Sequence, residues 1–181
     1  MTAGMAATLT LQGCAAGPPV DSKPVRYSFD CDAPGGRYSV WERSLDSTSV
    51  QLAGKIRLAE PRVDVNWFPT ASILLEDKNH QRVAGLRLNR DPRKTDTLVA
   101  RVMDSGKGDQ EVAIGSSPWS GRNVSFALTL TGTAQLTATY DGVPVTITLS
   151  GFSPASVAFG CSTGDFKFDA VTVEEKAGPT H

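Results

Sequence analysis

The chain has 181 residues, of which 40% are hydrophobic and 20% charged, and its formal net charge at pH 7 is -1. This length suits one globular domain with a core of useful size. The near-neutral charge argues against a nucleic-acid-binding protein, which depends on many contacts between basic side chains and phosphates. No stretch approaches the roughly 20 apolar residues of a membrane-spanning helix.

The first fourteen residues form a small and apolar stretch that ends in Leu-Gln-Gly-Cys. They resemble the signal segment of bacterial lipoproteins, in which the cysteine, here Cys14, is lipidated and becomes the mature N-terminus. No Lys or Arg precedes the hydrophobic part, a departure that an upstream start codon would explain. The alternative is a chance Gly-Cys pair in a disordered segment. The resemblance implies a lipoprotein of the bacterial cell envelope, in the outer membrane or periplasm, held to the membrane by its lipid anchor alone.

The rest of the chain divides into three parts. Residues 15–24 are small, proline-rich and without periodicity, which predicts a flexible tether. Residues 25–174 are predicted to form a β-sandwich domain, and the polar residues 175–181 a disordered tail.

Two segments at opposite ends of the domain are expected to pair. Both Val25–Asp32 and Val157–Val173 alternate apolar with polar or small residues, which places alternate side chains on one face of a strand. Cys31 and Cys161 lie in the apolar phase, so both thiols should point into the same core. In an extracytoplasmic domain a disulfide between them is favoured. Two buried free thiols are the alternative.

Further alternation predicts about a dozen short strands and no credible amphipathic helix, which is typical of a two-sheet sandwich or a barrel. Residues 38–45 form a poorly patterned strand. Trp67 is in phase with Val63 and Val65, which predicts a core position. Residues 72–77 and 82–90 should form a hairpin around a polar turn that contains His80.

The clearest local signal is the hairpin around Asp141-Gly142. An Asp-Gly loop favours a type I′ turn, which should place Tyr140 opposite Val143. Pro144 has no N–H group to donate, so its strand must lie at a sheet edge or be bulged at its start.

A second irregularity is predicted near the end of the chain. Phe168 and Val171 fall in opposite phases of the last strand. A bulge near Asp169-Ala170 would return both side chains to the core.

The hairpin LTATYDGVPVTITL and the following VAFGCSTGDFKFDAVTV resemble the C-terminal half of concanavalin A-like lectin/glucanase domains, a superfamily that includes laminin G-like modules. Those domains share a Leu-x-x-x-x-Asp-Gly hairpin and a Phe-Asp-x-Val ending, matched here by Phe168, Asp169 and Val171. The resemblance implies an all-β, two-sheet antiparallel jelly-roll sandwich with its terminal strands side by side. It also implies a concave face of the kind that often holds sugar.

No catalytic or metal-binding set is predicted. The β-glucan-cleaving enzymes of the superfamily have a Glu-x-Asp-x-x-Glu motif on one strand, which is absent here, and Glu76-Asp77 lacks the second glutamate. His80 is interpreted as an exposed turn residue because no zinc-ligand spacing or serine nucleophile motif accompanies it. The loop from Asp104 to Glu111 could supply oxygen ligands for Ca²⁺, but Lys107 lies among them and a solvated acidic turn is preferred.

Four residues are candidate ligand contacts. Trp119, in a loop between predicted strands, is the best platform for a sugar ring, with a plug at the end of the sandwich as the alternative. Trp41 is ambiguous. Arg87 should point outward, and with Arg101 it belongs to a cluster of positive charge that suits an acidic glycan or a lipid headgroup. A solvated face of mixed charge is the alternative.

The sequence therefore predicts a lipid-anchored, noncatalytic β-sandwich that binds a carbohydrate or cell-envelope polymer, without a cofactor or nucleic-acid partner. The first alternative is a structural or protein-interaction lipoprotein with no sugar ligand, and the second an enzyme acting on glycosides through an unrecognised site. The threonine-lined side of the Asp-Gly hairpin suggests a sheet face of threonine and small residues rather than one with exposed aromatic side chains. The oligomeric state is left open.

Overall fold

The computed structural model describes residues 25–176, apart from residues 63, 92–93, 107–109 and 120. The predicted lipidation site Cys14, the tether and residues 177–181 lie outside the described residues. The described part contains ten β-strands and no helix, so no helix in it is long and apolar enough to cross a membrane. The strands are β1 (Arg26–Ser44), β2 (Val50–Pro61), β3 (Thr70–Asp77), β4 (Val83–Asp91), β5 (Lys94–Asp104), β6 (Gln110–Pro118), β7 (Val124–Thr131), β8 (Gln135–Tyr140), β9 (Val143–Thr148) and β10 (Pro154–Glu175).

The first and last strands run antiparallel beside each other. Their register places Arg26 opposite Thr172 and Ser44 opposite Ser156. The expectation that the two ends of the domain are neighbours is confirmed. The two strands predicted within residues 25–45 are instead one strand of 19 residues, with a register shift between Ala33 and Tyr38.

β10 belongs to both layers of the domain, because residues 154–162 pair with β3 and residues 164–175 pair with β2. One layer, here called sheet A, has the order β6-β5-β4-β3-β10-β1. The other, sheet B, has the order β9-β8-β7-β2-β10-β1. All neighbours are antiparallel, as predicted for a two-sheet jelly-roll sandwich.

The core lies between the two sheets and combines side chains from both. Leu86 and Val102 of sheet A and Leu128 and Leu136 of sheet B are fully buried in one hydrophobic cluster. Period-two alternation explains this placement, since every second residue of each strand faces the other sheet.

An aromatic cluster ties β1 to β10 inside this core. The ring of the fully buried Phe159 lies 5.7 Å from that of Phe29, 5.5 Å from that of Trp41 and 5.7 Å from that of Phe168, measured between centroids. The contacts with Phe29 and Phe168 are edge-to-face, an arrangement that adds to the stabilisation from burial.

The predicted disulfide between Cys31 and Cys161 is present, with a Cα–Cα distance of 5.9 Å. The two cysteines are not directly opposite each other, since Cys31 faces Phe166 and Cys161 faces Ser39. The bond therefore spans the irregular part of the paired strands, where backbone pairing between β1 and β10 is interrupted.

The predicted Asp-Gly hairpin and its register are confirmed. Asp141 and Gly142 have positive φ values of 51° and 83°, as a type I′ turn requires, and Tyr140 lies opposite Val143. β9 is at the end of sheet B, so Pro144 lies in an edge strand.

The predicted bulge in the last strand is confirmed as well. The pairing of β10 with β2 shifts register between Asp169 and Thr172, and Ala170 has a positive φ of 51°. Phe168 and Val171 are consequently both buried. β10 continues to Glu175, one residue beyond the predicted domain, and the Glu175 carboxylate accepts hydrogen bonds from the backbone of Asp46 and Ser47.

The prediction of a strand that buries Trp67 is wrong. Trp67 is 49% exposed and Val65 is 93% exposed, in a loop between β2 and β3. The Asp64 carboxylate accepts hydrogen bonds from the backbone N–H groups of Asn66, at 2.8 Å, and Trp67, at 3.1 Å. Such side-chain capping turns the chain locally, which removes these residues from strand pairing.

Candidate functional site

A groove of about 370 Å³ lies on the outer face of sheet A. It runs over β10, whose outward residues Gly160 and Ser162 are small. Taller side chains stand on either side, from β1 and from the loop that precedes β3. A Cβ atom added at Gly160 would lie 3.0 Å from the Ser72 hydroxyl, so a larger residue there would raise the floor of the groove.

Three exposed aromatic side chains line this groove, which contributes the main apolar surface of the site. Trp67 is joined by Tyr38, which is 74% exposed, and by Phe68, which is 51% exposed. Within the described ranges every other Trp, Tyr and Phe is buried or half-buried. Exposed apolar patches on a folded domain commonly mark sites of interaction, so this concentration on one groove marks the site.

Polar side chains complete the groove on the β3 and β4 side. Asn89 donates a hydrogen bond of 3.5 Å to Thr70, while its buried carbonyl oxygen has no hydrogen-bond partner among the described residues. Asn89 thus brings an amide group to this side of the groove.

The predicted contacts Arg87 and Arg101 lie side by side. They are directly opposite each other on β4 and β5. Both approach the Glu111 carboxylate: Arg87 donates to one oxygen at 3.1 Å, and the Arg101 Nε lies 3.8 Å from the other. Arg87 points outward, as predicted, and lines the groove.

The two predicted tryptophans lie elsewhere. Trp41 faces the core side of β1, where its ring contacts Phe29 and Phe159. Trp119 is half-buried and packs against the hydrophobic core. Of the four proposed ligand contacts, the groove thus includes Arg87, has Arg101 at its margin, and leaves both tryptophans outside.

The sequence interpretation missed Tyr38, Trp67, Phe68 and Asn89. A signal was present in β1, whose poor pattern arises because Tyr38 and Val40 face the groove while Trp41 faces the core. The threonines of the Asp-Gly hairpin, which suggested a sheet face without exposed aromatic side chains, lie outside this groove. Thr137 and Thr146, joined by a hydrogen bond of 2.9 Å, lie on the outer side of sheet B.

Of the acidic loop predicted as a solvated turn at the end of β5, Asp104 is not solvated, and residues 107–109 lie outside the described part of the chain. Asp104 is buried and accepts two hydrogen bonds from Arg82, at 2.9 and 2.8 Å. These hydrogen bonds hold the pKa of Asp104 below its usual value, with a further contribution from the Gly106 N–H group. Asp104 is therefore engaged in an ion pair.

One group in the described part of the chain has the donor atoms for a metal ion. Ligand atoms of Glu42, Glu76 and His80 lie within 4.8 Å of one another, at the end of the sheet A face away from Tyr38. Two carboxylates and an imidazole suit a divalent ion. His80 is exposed, as predicted, and its Nδ1 lies 2.6 Å from the Glu76 carboxylate, a contact that satisfies both groups without a metal.

This ion pair predicts a pH-dependent contribution to stability. The hydrogen bond to Glu76, with the charges of Glu76, Glu42 and Asp77, raises the pKa of His80 above 6.5. A raised pKa in the folded state stabilises the fold below the unfolded pKa, and this stabilisation is lost as the pH rises through the folded pKa. Replacing His80 with asparagine, which tolerates its positive φ, should therefore lower Tm more at about pH 5.5 than at about pH 8.5.

Thermal unfolding followed by circular dichroism across this pH range checks the prediction. The variant Glu76→Gln, which removes the partner of His80, should likewise lower Tm more at about pH 5.5 than at about pH 8.5. An equal Tm difference at both pH values would show that the ion pair contributes nothing.

No protein-family model matches the chain, and no curated protein matches its sequence. Several solved structures are similar in fold. A carbohydrate-binding module from Bacillus subtilis has a TM-score of 0.52 and 13% identity, over 84% of this chain and 92% of that chain. A galectin from Caenorhabditis elegans has a TM-score of 0.51 and 11% identity, over 82% and 96%. β-Agarase A from Zobellia galactanivorans has a TM-score of 0.55 and 10% identity, over 83% and 72%. At these identities the likeness shows the fold alone.

Proposed function

We propose that this chain, which has the concanavalin A-like jelly-roll fold, is a noncatalytic domain that binds a carbohydrate in the groove of sheet A. One observation carries the proposal: the exposed aromatic side chains of the described residues, Tyr38, Trp67 and Phe68, all line that groove. Arg87 and Asn89 bring polar groups to the same place.

The chemistry of the groove matches that of a sugar. A pyranose ring has apolar C–H faces, which pack on aromatic rings, and hydroxyl edges, which form hydrogen bonds. The groove offers both kinds of surface, with aromatic rings on the β1 side and above, and Ser72, Arg87 and Asn89 along β3 and β4. Its volume of about 370 Å³ falls within the usual range of small-molecule sites, so it would hold a few sugar units.

The solved structures of similar fold support the proposal, because their names refer to proteins that bind or act on carbohydrates. One is a carbohydrate-binding module, one is a galectin and one is a β-agarase. The aromatic and polar side chains that line the groove support carbohydrate binding independently of those names.

The anchor is a separate part of the proposal and is supported by the sequence alone. Lipidation of Cys14, followed by the tether at residues 15–24, would place the domain at the surface of a bacterial membrane in the cell envelope. Expression in a bacterial host with an alkyne fatty acid should label the wild-type chain and leave Cys14→Ser unlabelled. Equal labelling of both would exclude lipidation at Cys14.

The groove predicts the effect of a single substitution on binding. A glycan array probed with the full chain identifies the bound sugar, and titration calorimetry then gives its Kd. Trp67→Ala should weaken binding roughly 30-fold, about 2 kcal/mol, because a central aromatic contact is lost. Since Trp67 is half exposed in a loop, the unfolding midpoint should stay close to that of the wild type.

Two variants serve as controls. Val143→Ala removes a side chain of similar exposure from β9 of sheet B and should bind like the wild type. Trp119→Ala tests the platform that the sequence predicted. Lost sugar binding in Trp119→Ala together with unchanged binding in Trp67→Ala would move the site away from the groove.

A protein partner is the second candidate function. The exposed side chains of Val40 and Val65 extend the apolar surface of the groove region, as a protein-binding patch would require. Absence of binding on the array, together with a co-purifying protein that is lost in Trp67→Ala, would favour this candidate over the first.

A further inference from the structure

We infer that the glycan held in the groove is anionic, with a carboxylate group that binds Arg87. This inference rests on the proposed function and narrows its ligand class. Among the described residues that line the groove, Arg87 is the sole charged side chain, and no aspartate or glutamate lines it. A bound anion would therefore meet a positive charge and no opposing one.

The ion pair beside the groove does not neutralise this charge. Arg87 and Arg101 share the single carboxylate of Glu111, so the three groups together carry a net charge of +1. All three side chains are about one-third exposed. Exposed pairs of this kind are weak, so Glu111 only partly offsets the attraction of Arg87 for an anionic ligand.

Arg87 also has more N–H donors than its contact with Glu111 uses. A guanidinium carries five N–H donors in a planar fork that matches a carboxylate or sulfate. In the described contacts Arg87 donates through Nη1 to Glu111. A second charge-assisted hydrogen bond to a ligand would thus add to the existing contact without displacing it.

The residues around Arg87 should strengthen its attraction for an anion and determine where in the groove the anion lies. The aromatic rings of Trp67 and Phe68 reduce the access of water when a sugar is bound, which lowers the local dielectric constant. The carboxylates of Glu42 and Glu76 lie on the same face of sheet A but beyond the groove, beside His80. The carboxylate of an acidic sugar should therefore lie at the end of the groove near Arg87, away from Glu42 and Glu76.

Matched polysaccharides test the inference. Alginate, polygalacturonate and hyaluronan are titrated into the full chain, each beside its methyl ester, which keeps the sugar backbone and removes the carboxylate charge. At least one acid should bind roughly 10- to 100-fold more tightly than its ester, the range expected when a charge-assisted contact is lost. Its affinity should fall as NaCl is raised.

Three variants identify the residue responsible. Arg87→Gln should abolish the preference for the acid over its ester. Glu111→Gln, which removes the competing carboxylate, should tighten acid binding severalfold. Arg57→Gln is the matched control, because Arg57 is a half-buried arginine on the outer face of sheet B and should leave the preference intact.

The outcomes separate this inference from the proposed function. Equal affinity for acid and ester, or array binding confined to neutral glycans, would overturn the anionic ligand and leave carbohydrate binding standing. Absence of binding to any acidic or neutral glycan would overturn both. An acid preference that survives in Arg87→Gln would overturn the role of Arg87.

Discussion

Replacing Cys31 and Cys161 together with alanine should lower the free energy of unfolding by about 4–5 kcal/mol. The bond joins residues 130 positions apart, so its removal frees nearly the whole domain in the unfolded chain. It also releases β1 from β10 where their register is interrupted between Ala33 and Tyr38. Urea unfolding followed by tryptophan fluorescence under oxidising conditions measures the loss.

The reduced wild type provides the control for this experiment. Adding a reducing agent should bring the wild-type midpoint close to that of the double variant, and the variant itself should not respond. A variant as stable as the oxidised wild type would mean that the long chain closure contributes nothing to this fold.

Replacing Phe159 with alanine should cost about 3–5 kcal/mol of stability. Its side chain is fully buried at the centre of the aromatic cluster, in contact with Phe29, Trp41 and Phe168. Truncation would leave a cavity where β10 passes from one sheet to the other, and both sheets depend on that strand. The free energy of unfolding from denaturant titration measures the effect.

Phe68→Ala is the matched control for Phe159→Ala, because the same side chain is removed from an exposed position. It should change stability by less than about 0.5 kcal/mol, as surface substitutions usually do. It should nevertheless weaken glycan binding, since Phe68 lines the groove. Similar losses of stability in both variants would contradict the assignment of Phe159 to the core and Phe68 to the site.

Local pattern in the sequence was sufficient for much of the fold. The Asp-Gly turn set the register of β8 and β9 because only residues that tolerate positive φ fit a type I′ turn. The phase change between Phe168 and Val171 located the bulge, because two buried faces on one strand require an extra residue. These features depend on neighbours in the chain, so they can be read without knowing which strands are adjacent.

The aromatic groove was not predicted, because its residues come from separate parts of the chain. Alternation showed that Tyr38 and Trp41 point in opposite directions, but not which of them faces the core. Trp67 was misplaced because its spacing from Val65 suggested a strand, whereas the Asp64 side chain turns the backbone there.

The sequence by itself determined the all-β class, the Asp-Gly hairpin and the bulge in the last strand, because period-two alternation and turn chemistry are local properties of the chain. The pairing of the terminal strands and the disulfide between Cys31 and Cys161 were favoured by the position of both cysteines in the apolar phase, with two free thiols as the alternative, and the structure confirms them. Only the tertiary structure decided where a ligand site lies. Tyr38, Trp67 and Arg87 meet because β10 lies between β1 and β3, with β4 next to β3. That strand order is selected by long-range packing of the core, for which no local pattern in these segments gives a signal.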